Sequence, residues 1–195
     1  MITYTEIDKI SESAKSYIAL ASVPGYSKPV ILKKLSPENA SLYTQIQMLS
    51  NEHIVQIYAS EIQDRHLILA EEYIDGVSLD SYIKEKHLRQ NEIVSLLLQL
   101  CDGLKALHQA VPPIIHRDIK PSNIMVTADG TVKIIDFDAS RNFKPKRTQD
   151  TVIMGTLEYA PPEQYGFSQT DVRSDIYSVG AMMYELFFHQ TLPDR

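Results

Sequence analysis

Cysteine is almost missing from this chain of 195 residues, with Cys101 the single one. One cysteine excludes a disulfide framework and a cysteine-based zinc site, and it suits a reducing compartment. Cys101 falls in an apolar helical run, so a small core residue is expected there. A basic excess is lacking too: 19 Lys and Arg stand against 25 Asp and Glu, a net charge of −6. Generic nucleic-acid binding needs a basic face, and this balance argues against it. No hydrophobic run is long enough for a bilayer. Residues 93–107 and 176–188 are the longest, and both read as buried helices. Residues 1–10 alternate polar with apolar and carry Glu6 and Asp8, unlike a signal peptide. What is present is an ordinary globular mixture, 44% apolar and 23% charged, which excludes disordered and collagen-like classes. The expectation is a soluble cytoplasmic chain of one or two domains.

The first third reads as strands, at residues 2–10, 16–21 and 30–35, with Pro24-Gly25 as a turn. Ser36-Pro37-Glu38 has the pattern of a helix start, and the helix is expected to reach about Leu49. Strands at 55–62 and 66–72 follow, joined at Gln63-Asp64-Arg65. After Asp75-Gly76 the pattern turns helical. Ile93, Leu97, Leu100, Leu104 and Leu107 mark one face of a long helix. Asp129-Gly130 lies in a hairpin, and the final helix, about 173–188, is apolar nearly all round. The expected organisation is α+β, with a β-rich domain over 1–75 and a mainly helical one over 76–195.

The run that carries chemistry is His116-Arg117-Asp118-Ile119-Lys120-Pro121-Ser122-Asn123, followed thirteen residues later by Asp136-Phe137-Asp138. A hydroxyl attacking phosphate needs a carboxylate to take its proton, and Asp118 suits that task. The transferred phosphoryl group carries spread negative charge, which Lys120 can meet. Asn123 and Asp136 offer the oxygen ligands that Mg²⁺ prefers.

These residues resemble the protein kinase family, and more closely its bacterial Ser/Thr branch, over almost the whole chain. Val30-Ile31-Leu32-Lys33 is similar to the strand whose lysine holds the α- and β-phosphates, and Glu72-Tyr73-Ile74 to the adenine hinge. Residues 155–163, Gly-Thr-Leu-Glu-Tyr-Ala-Pro-Pro-Glu, resemble the end of the activation segment. Asp175 matches the residue that braces the catalytic loop. The resemblance implies a two-lobed fold whose second lobe is incomplete, ending after the central helix. It implies ATP and Mg²⁺ as cofactors and Ser/Thr protein substrates. Catalysis would fall to Asp118, Lys120, Lys33 and Thr156. ATP would be held by Ser11, Ser13, Ser16, Ile18, Ala21, Lys33, Glu72, Ile74 and Met125, and the metal by Asn123 and Asp136. Arg117 matches an arginine that can bind a phosphorylated loop, with Thr148 and Thr151 as candidates for modification.

The chain departs from the family pattern in several places. Serines stand where the phosphate-covering loop has glycines, and no glycine precedes Gly25. Glycine lets backbone approach phosphate closely, so slower ATP handling is expected. Asp138 replaces a glycine, as a further metal ligand or a solvated side chain. Leu42 occupies the place of the helix glutamate that usually pairs with the lysine. Glu71 is expected to supply that counter-charge to Lys33 from the neighbouring strand, with Glu38 the alternative. A buried carboxylate without a partner would be costly. The leading reading is an ATP-dependent Ser/Thr protein kinase domain. The alternatives are a pseudokinase acting as a nucleotide- or protein-binding module, and a small-molecule phosphotransferase. The last helix is expected to leave an apolar surface uncovered, favouring self-association.

Overall fold

The computed structural model describes residues 1–13, 16–143, 156, 158–165 and 169–192. Thr148 and Thr151 lie outside the described residues. The chain divides into two compact units, Met1–Ser50 with Val55–Ile74 and Asn51–Ile54 with Asp75–Arg195.

The first unit is built on strands β1 (Thr5–Glu12), β2 (Tyr17–Ser22) and β3 (Val30–Leu35), helix α1 (Ala40–Gln47), and strands β4 (Ile57–Gln63) and β5 (His66–Glu72). The strands form one sheet in the order β1-β2-β3-β5-β4, every pair antiparallel. Side chains alternate across a strand, so the register sorts residues onto two faces. Ala21, Val30, Leu32, Ile68 and Ala70 share one face, a buried cluster covered by Ile2, Tyr4 and Tyr58. The other face carries Ile18 opposite Lys33, Lys33 opposite Leu69, and Ile31 opposite Glu71. Pro37–Asn39 forms a single 3-10 turn ahead of α1, which buries Leu42, Tyr43 and Ile46. The helix is anchored to β4 by Gln47, whose Nε2 donates to the Tyr58 carbonyl at 3.1 Å. Asp64 and Arg65 turn β4 into β5 with φ of 45° and 65°, both left-handed, as a two-residue hairpin turn needs.

The second unit runs β6 (Gly76–Ser78), α2 (Leu79–Glu85), α3 (Gln90–His108), β7 (Ile114–Ile115), β8 (Ile124–Thr127), β9 (Val132–Ile134), β10 (Arg141–Asn142) and α4 (Val172–Phe188). Strands β6, β8 and β9 make one small antiparallel sheet, β7 and β10 another. Helix α3 buries Ile93, Leu97, Leu100, Leu104 and Leu107 as its spacing predicts, together with Leu96 and Gly103. Gly103 lets the helix come close: a Cβ there would lie 2.9 Å from the His53 carbonyl oxygen. That carbonyl accepts from the Ile134 amide at 2.8 Å, and Ile54 bridges Ile134 in parallel. These bonds explain why residues 51–54 belong to the second unit although β4 of the first follows them.

Two expectations about helices need correction. Cys101 is exposed rather than part of the core. It stands at i+7 from Val94 and i+3 from Leu98, on the outer side of α3, where both neighbours are also exposed. Helix α4 is not buried all round either. Asp171 caps it, accepting from the Arg173 amide at 2.8 Å, and His189 ends it in a left-handed conformation with φ of 56°. Val179, Met182 and Leu186 are buried, whereas Ile176, Met183 and Phe188 are about half exposed. Tyr177, Gly180, Met183, Tyr184 and Phe187 line an apolar groove of about 310 Å³ along that outer side. Among the described residues, the expected apolar surface is therefore present. No helix among them is long and apolar enough to cross a membrane.

Candidate active site

Proline at position 121 opens a 3-10 turn, Pro121–Asn123, that folds Asn123 back toward Asp118. The Asn123 Nδ2 donates to the Asp118 carbonyl and to its Oδ2, both at 2.9 Å. Lys120 Nζ lies 2.9 Å from Asp118 Oδ2 and donates to Thr156 Oγ1, also at 2.9 Å. The Thr156 hydroxyl in turn donates to Asp118 Oδ1 at 3.0 Å. Three donors from three residues thus converge on one carboxylate and fix its orientation. The Asp118 side chain keeps 17% exposure, so its carboxylate is not sealed from solvent. Asp118, Lys120, Asn123 and Thr156, singled out from the sequence, are brought together here.

The loop that presents Asp118 is held from below by Asp175, in the first turn of α4 and fully buried. Its Oδ1 accepts from the Arg117 amide at 2.8 Å and its Oδ2 from the His116 amide at 3.0 Å. His108 Nε2 meets the same Oδ2 at 2.7 Å. Arg117 has a φ of 70°, a left-handed conformation that a non-glycine residue adopts at a cost of about 1–3 kcal/mol. Its two flanking bonds hold it there, since the Arg117 carbonyl also accepts from Gln164 Nε2 at 2.6 Å. His108 and Gln164 were not marked by sequence reasoning. Both are polar residues in unremarkable local patterns, and only the folded contacts reveal them.

His116 is fully buried, edge-on to Phe137 with ring centroids 5.0 Å apart. Its Nδ1 accepts from the Asp118 amide at 3.4 Å and its Nε2 faces the Ile135 carbonyl at 3.2 Å. The neutral tautomer with its proton on Nε2 satisfies both. Burial pushes the His116 imidazole below its ordinary value, against the opposing pull of Asp175.

The candidate metal ligands follow. The Ile135 amide donates to the Asn123 carbonyl at 3.0 Å, tying the segment before Asp136 to the catalytic loop. Asp136 adopts a φ of 64°, and its Oδ1 accepts from the Asp138 amide at 3.3 Å. Asp138 itself is exposed. Because Asn123 spends its side-chain Nδ2 on Asp118, its side-chain Oδ1 is the atom that can face a cation. One amide oxygen and one carboxylate fit Mg²⁺, which keeps several waters and takes phosphate oxygens. Among the described residues no cluster of three or more His, Cys, Asp or Glu is suited to a metal.

In the first unit, Lys33 Nζ lies 3.1 Å from Glu71 Oε2, with the two side chains 7% and 3% exposed. Glu71, not Glu38, is the counter-ion. Ile18 shares the face of Lys33, but Ala21 does not. Ala21 was expected against adenine; its parity in β2 instead places it in the core cluster on the opposite face. Ile31, two residues before Lys33, occupies the side that Ala21 was expected to line. Ser11 sits in β1 opposite Ile18, and Ser13 and Ser16 close the turn that follows. The Ser13 amide donates to the Ser16 carbonyl at 2.8 Å and the Ser16 amide to Ser13 Oγ at 3.1 Å. These hydroxyls hold the turn together, the task their position asks of them without glycine. Glu72 and Gln56 exchange bonds, the Glu72 amide to the Gln56 carbonyl at 2.8 Å and the Gln56 amide to Glu72 Oε2 at 3.2 Å. Ile74 is half-buried, as is Met125 in β8 of the second unit.

A five-stranded antiparallel sheet with one helix, and a loop that gathers an aspartate, a lysine, an asparagine and a threonine, are features of the protein kinase class. The sequence model of the protein kinase domain matches residues 21–194. The chain belongs to the protein kinase family. A probable serine/threonine-protein kinase of Clostridium perfringens is 36% identical over 145 residues, 73% of this chain and 21% of that protein. The serine/threonine-protein kinase PknL of Mycobacterium tuberculosis is 36% identical over 148 residues, 75% of this chain and 37% of the relative. Serine/threonine-protein kinase A of Synechocystis is 34% identical over 146 residues, 69% of this chain and 28% of the relative. The chain thus spans roughly a fifth to two fifths of the length of these curated relatives.

Proposed function

We propose that this chain is the catalytic domain of a serine/threonine-protein kinase that transfers the γ-phosphoryl group of Mg-ATP to a protein hydroxyl. The observation that carries the reading is the convergence of Lys120, Asn123 and Thr156 on the Asp118 carboxylate. Asp118 takes the proton of the attacking hydroxyl as its oxygen bonds to the γ-phosphorus and the bond to the departing ADP oxygen breaks. Lys120, 2.9 Å from Asp118, adds a fixed positive charge beside the reacting oxygens. Lys33 orients the α- and β-phosphates. Asn123 and Asp136 would hold Mg²⁺, which neutralises phosphate charge when bound. Ile18 and Ile31 of the first unit offer apolar surface to adenine, and Glu72 and Ile74 offer hinge backbone. The serine turn at Ser13 and Ser16 covers phosphate less closely than glycine would.

Specificity for serine and threonine is supported by Lys120 and Thr156, which occupy the places typical of that branch, and by the names of the relatives. A cytoplasmic setting agrees with the lone exposed thiol of Cys101 and with the need for ATP. The test is stabilisation by Mg-ATP in a thermal melt. Wild type should gain stability, and Lys33→Met and Asp136→Ala should each lose most of that gain. Equal gains in all three proteins would remove the proposal's basis.

A further inference from the structure

We infer that Glu71 is the positioning residue of Lys33 and that it fixes Lys33 independently of α1. The inference rests on the reading of Lys33 as a phosphate-binding lysine.

The register supplies the first argument. Ile31 pairs with Glu71 and Lys33 with Leu69, so Lys33 and Glu71 are diagonal neighbours on one face of the β3–β5 ladder. Diagonal side chains of this length reach each other without moving the backbone. The ladder itself sets their spacing, and the ion pair closes at 3.1 Å. Both side chains are more than nine-tenths buried, which makes the pair hard to break: removing either partner leaves the other charge uncompensated.

The second argument is what α1 lacks. Its residues are Ala-Ser-Leu-Tyr-Thr-Gln-Ile-Gln, with no acid among them, and Leu42 is 3% exposed. Glu38, in the turn ahead of α1, is exposed and lines a separate cavity of about 580 Å³ with Ser13, Ser16, Lys34 and Arg65. Lys34 is on the opposite face of β3 from Lys33, its ammonium 5.0 Å from the centre of the Tyr17 ring. A displacement of α1 therefore cannot pull the counter-ion away from Lys33. The lysine is set once β3 and β5 have paired.

The experiment compares wild type, Lys33→Met, Glu71→Gln, Glu71→Asp and the α1 variant Ser41→Gly/Thr44→Gly. Mg-ADP affinity is measured by calorimetry, and KM for ATP and kcat by phosphotransfer. Lys33→Met tests the underlying reading: if it matches wild type, Lys33 does not handle phosphate and the inference falls with that reading. If it is impaired, Glu71→Gln should lose about tenfold or more in kcat/KM for ATP, and Glu71→Asp, which keeps the charge but shortens its reach, should lose less. The α1 variant should keep its Mg-ADP affinity within about twofold of wild type. A pair with only a structural role would lower the melting temperature of Glu71→Gln and leave KM and kcat of the folded protein unchanged. That result would overturn the inference, as would an α1 variant impaired as much as Glu71→Gln. Should Glu71→Gln fail to fold, Glu71→Asp carries the test: KM or Mg-ADP affinity unchanged from wild type contradicts a positioning role.

Discussion

Replacing Asp175 should be strongly destabilising, because three donors depend on its fully buried carboxylate. In Asp175→Ala the His116 and Arg117 amides lose their acceptor in a site closed to water. Each buried amide left unsatisfied costs about 1–3 kcal/mol, so a loss of about 2–6 kcal/mol is expected. Asp175→Asn keeps one acceptor oxygen and turns an NH₂ toward the second amide, so about half that loss is expected, roughly 1–3 kcal/mol. Against a total stability of about 5–15 kcal/mol, both changes are large. Urea unfolding followed by circular dichroism measures them; with a slope of about 2 kcal/mol/M, a loss of 3 kcal/mol moves the midpoint by about 1.5 M. Amide exchange at His116 and Arg117 should accelerate in parallel, since the left-handed Arg117 loses one of its two flanking bonds. A midpoint unchanged in both variants, with those amides still protected, would refute the bracing role.

Two glycine substitutions should move stability in opposite directions. Gly103→Ala puts a Cβ 2.9 Å from the His53 carbonyl oxygen and should destabilise by about 1–3 kcal/mol. Gly180→Ala meets nothing within 4 Å in helical backbone and should stabilise by up to about 1 kcal/mol. Paired thermal melts check both, and equal signs would contradict the packing described. His116 predicts a pH effect. Burial lowers its folded pKa, so below an unfolded value near 6.5 the unfolded chain binds a proton that the folded one refuses. Its contribution is complete above that value and is lost as pH falls toward the folded pKa, with a slope of at most about 1.4 kcal/mol per pH unit. The stability difference from pH 7.5 to 5.5 should shrink in His116→Gln; identical slopes would refute the assignment. The apolar side of α4 should bind a hydrophobic dye, and Met183→Glu should reduce the signal. A dye-silent wild type would contradict the exposure of that helix.

Much of this arrangement was legible in the residue pattern where a local rule applied. Strands 30–35 and 66–72, the apolar stripe of α3 and the hairpin at Asp129-Gly130 follow from periodicity and turn chemistry. The group around Asp118 was legible because its members are close in sequence, apart from Thr156. The Lys33–Glu71 pair could be anticipated from strand order and the cost of an unpaired buried acid. What escaped depends on how elements meet. The face on which Ala21 lies is decided by its pairing with Val30, which no pattern within β2 reveals. Cys101 sits among apolar neighbours in sequence, yet lies one step round the helix from the buried stripe. Residues 51–54 join the second unit through hydrogen bonds to β9, eighty residues on. His108 and Gln164 likewise gain their roles only from contacts 67 and 47 residues away.

Phosphate transfer from labelled ATP to a Ser/Thr protein substrate, comparing the wild-type protein with Asp118→Asn, tests the central claim most directly. Asp118 orients and deprotonates the hydroxyl without gripping the nucleotide, so kcat should fall by about 10²–10⁴-fold while Mg-ADP affinity stays within about twofold. Transfer undiminished in Asp118→Asn, or no transfer by a wild type that binds Mg-ATP, would contradict the account.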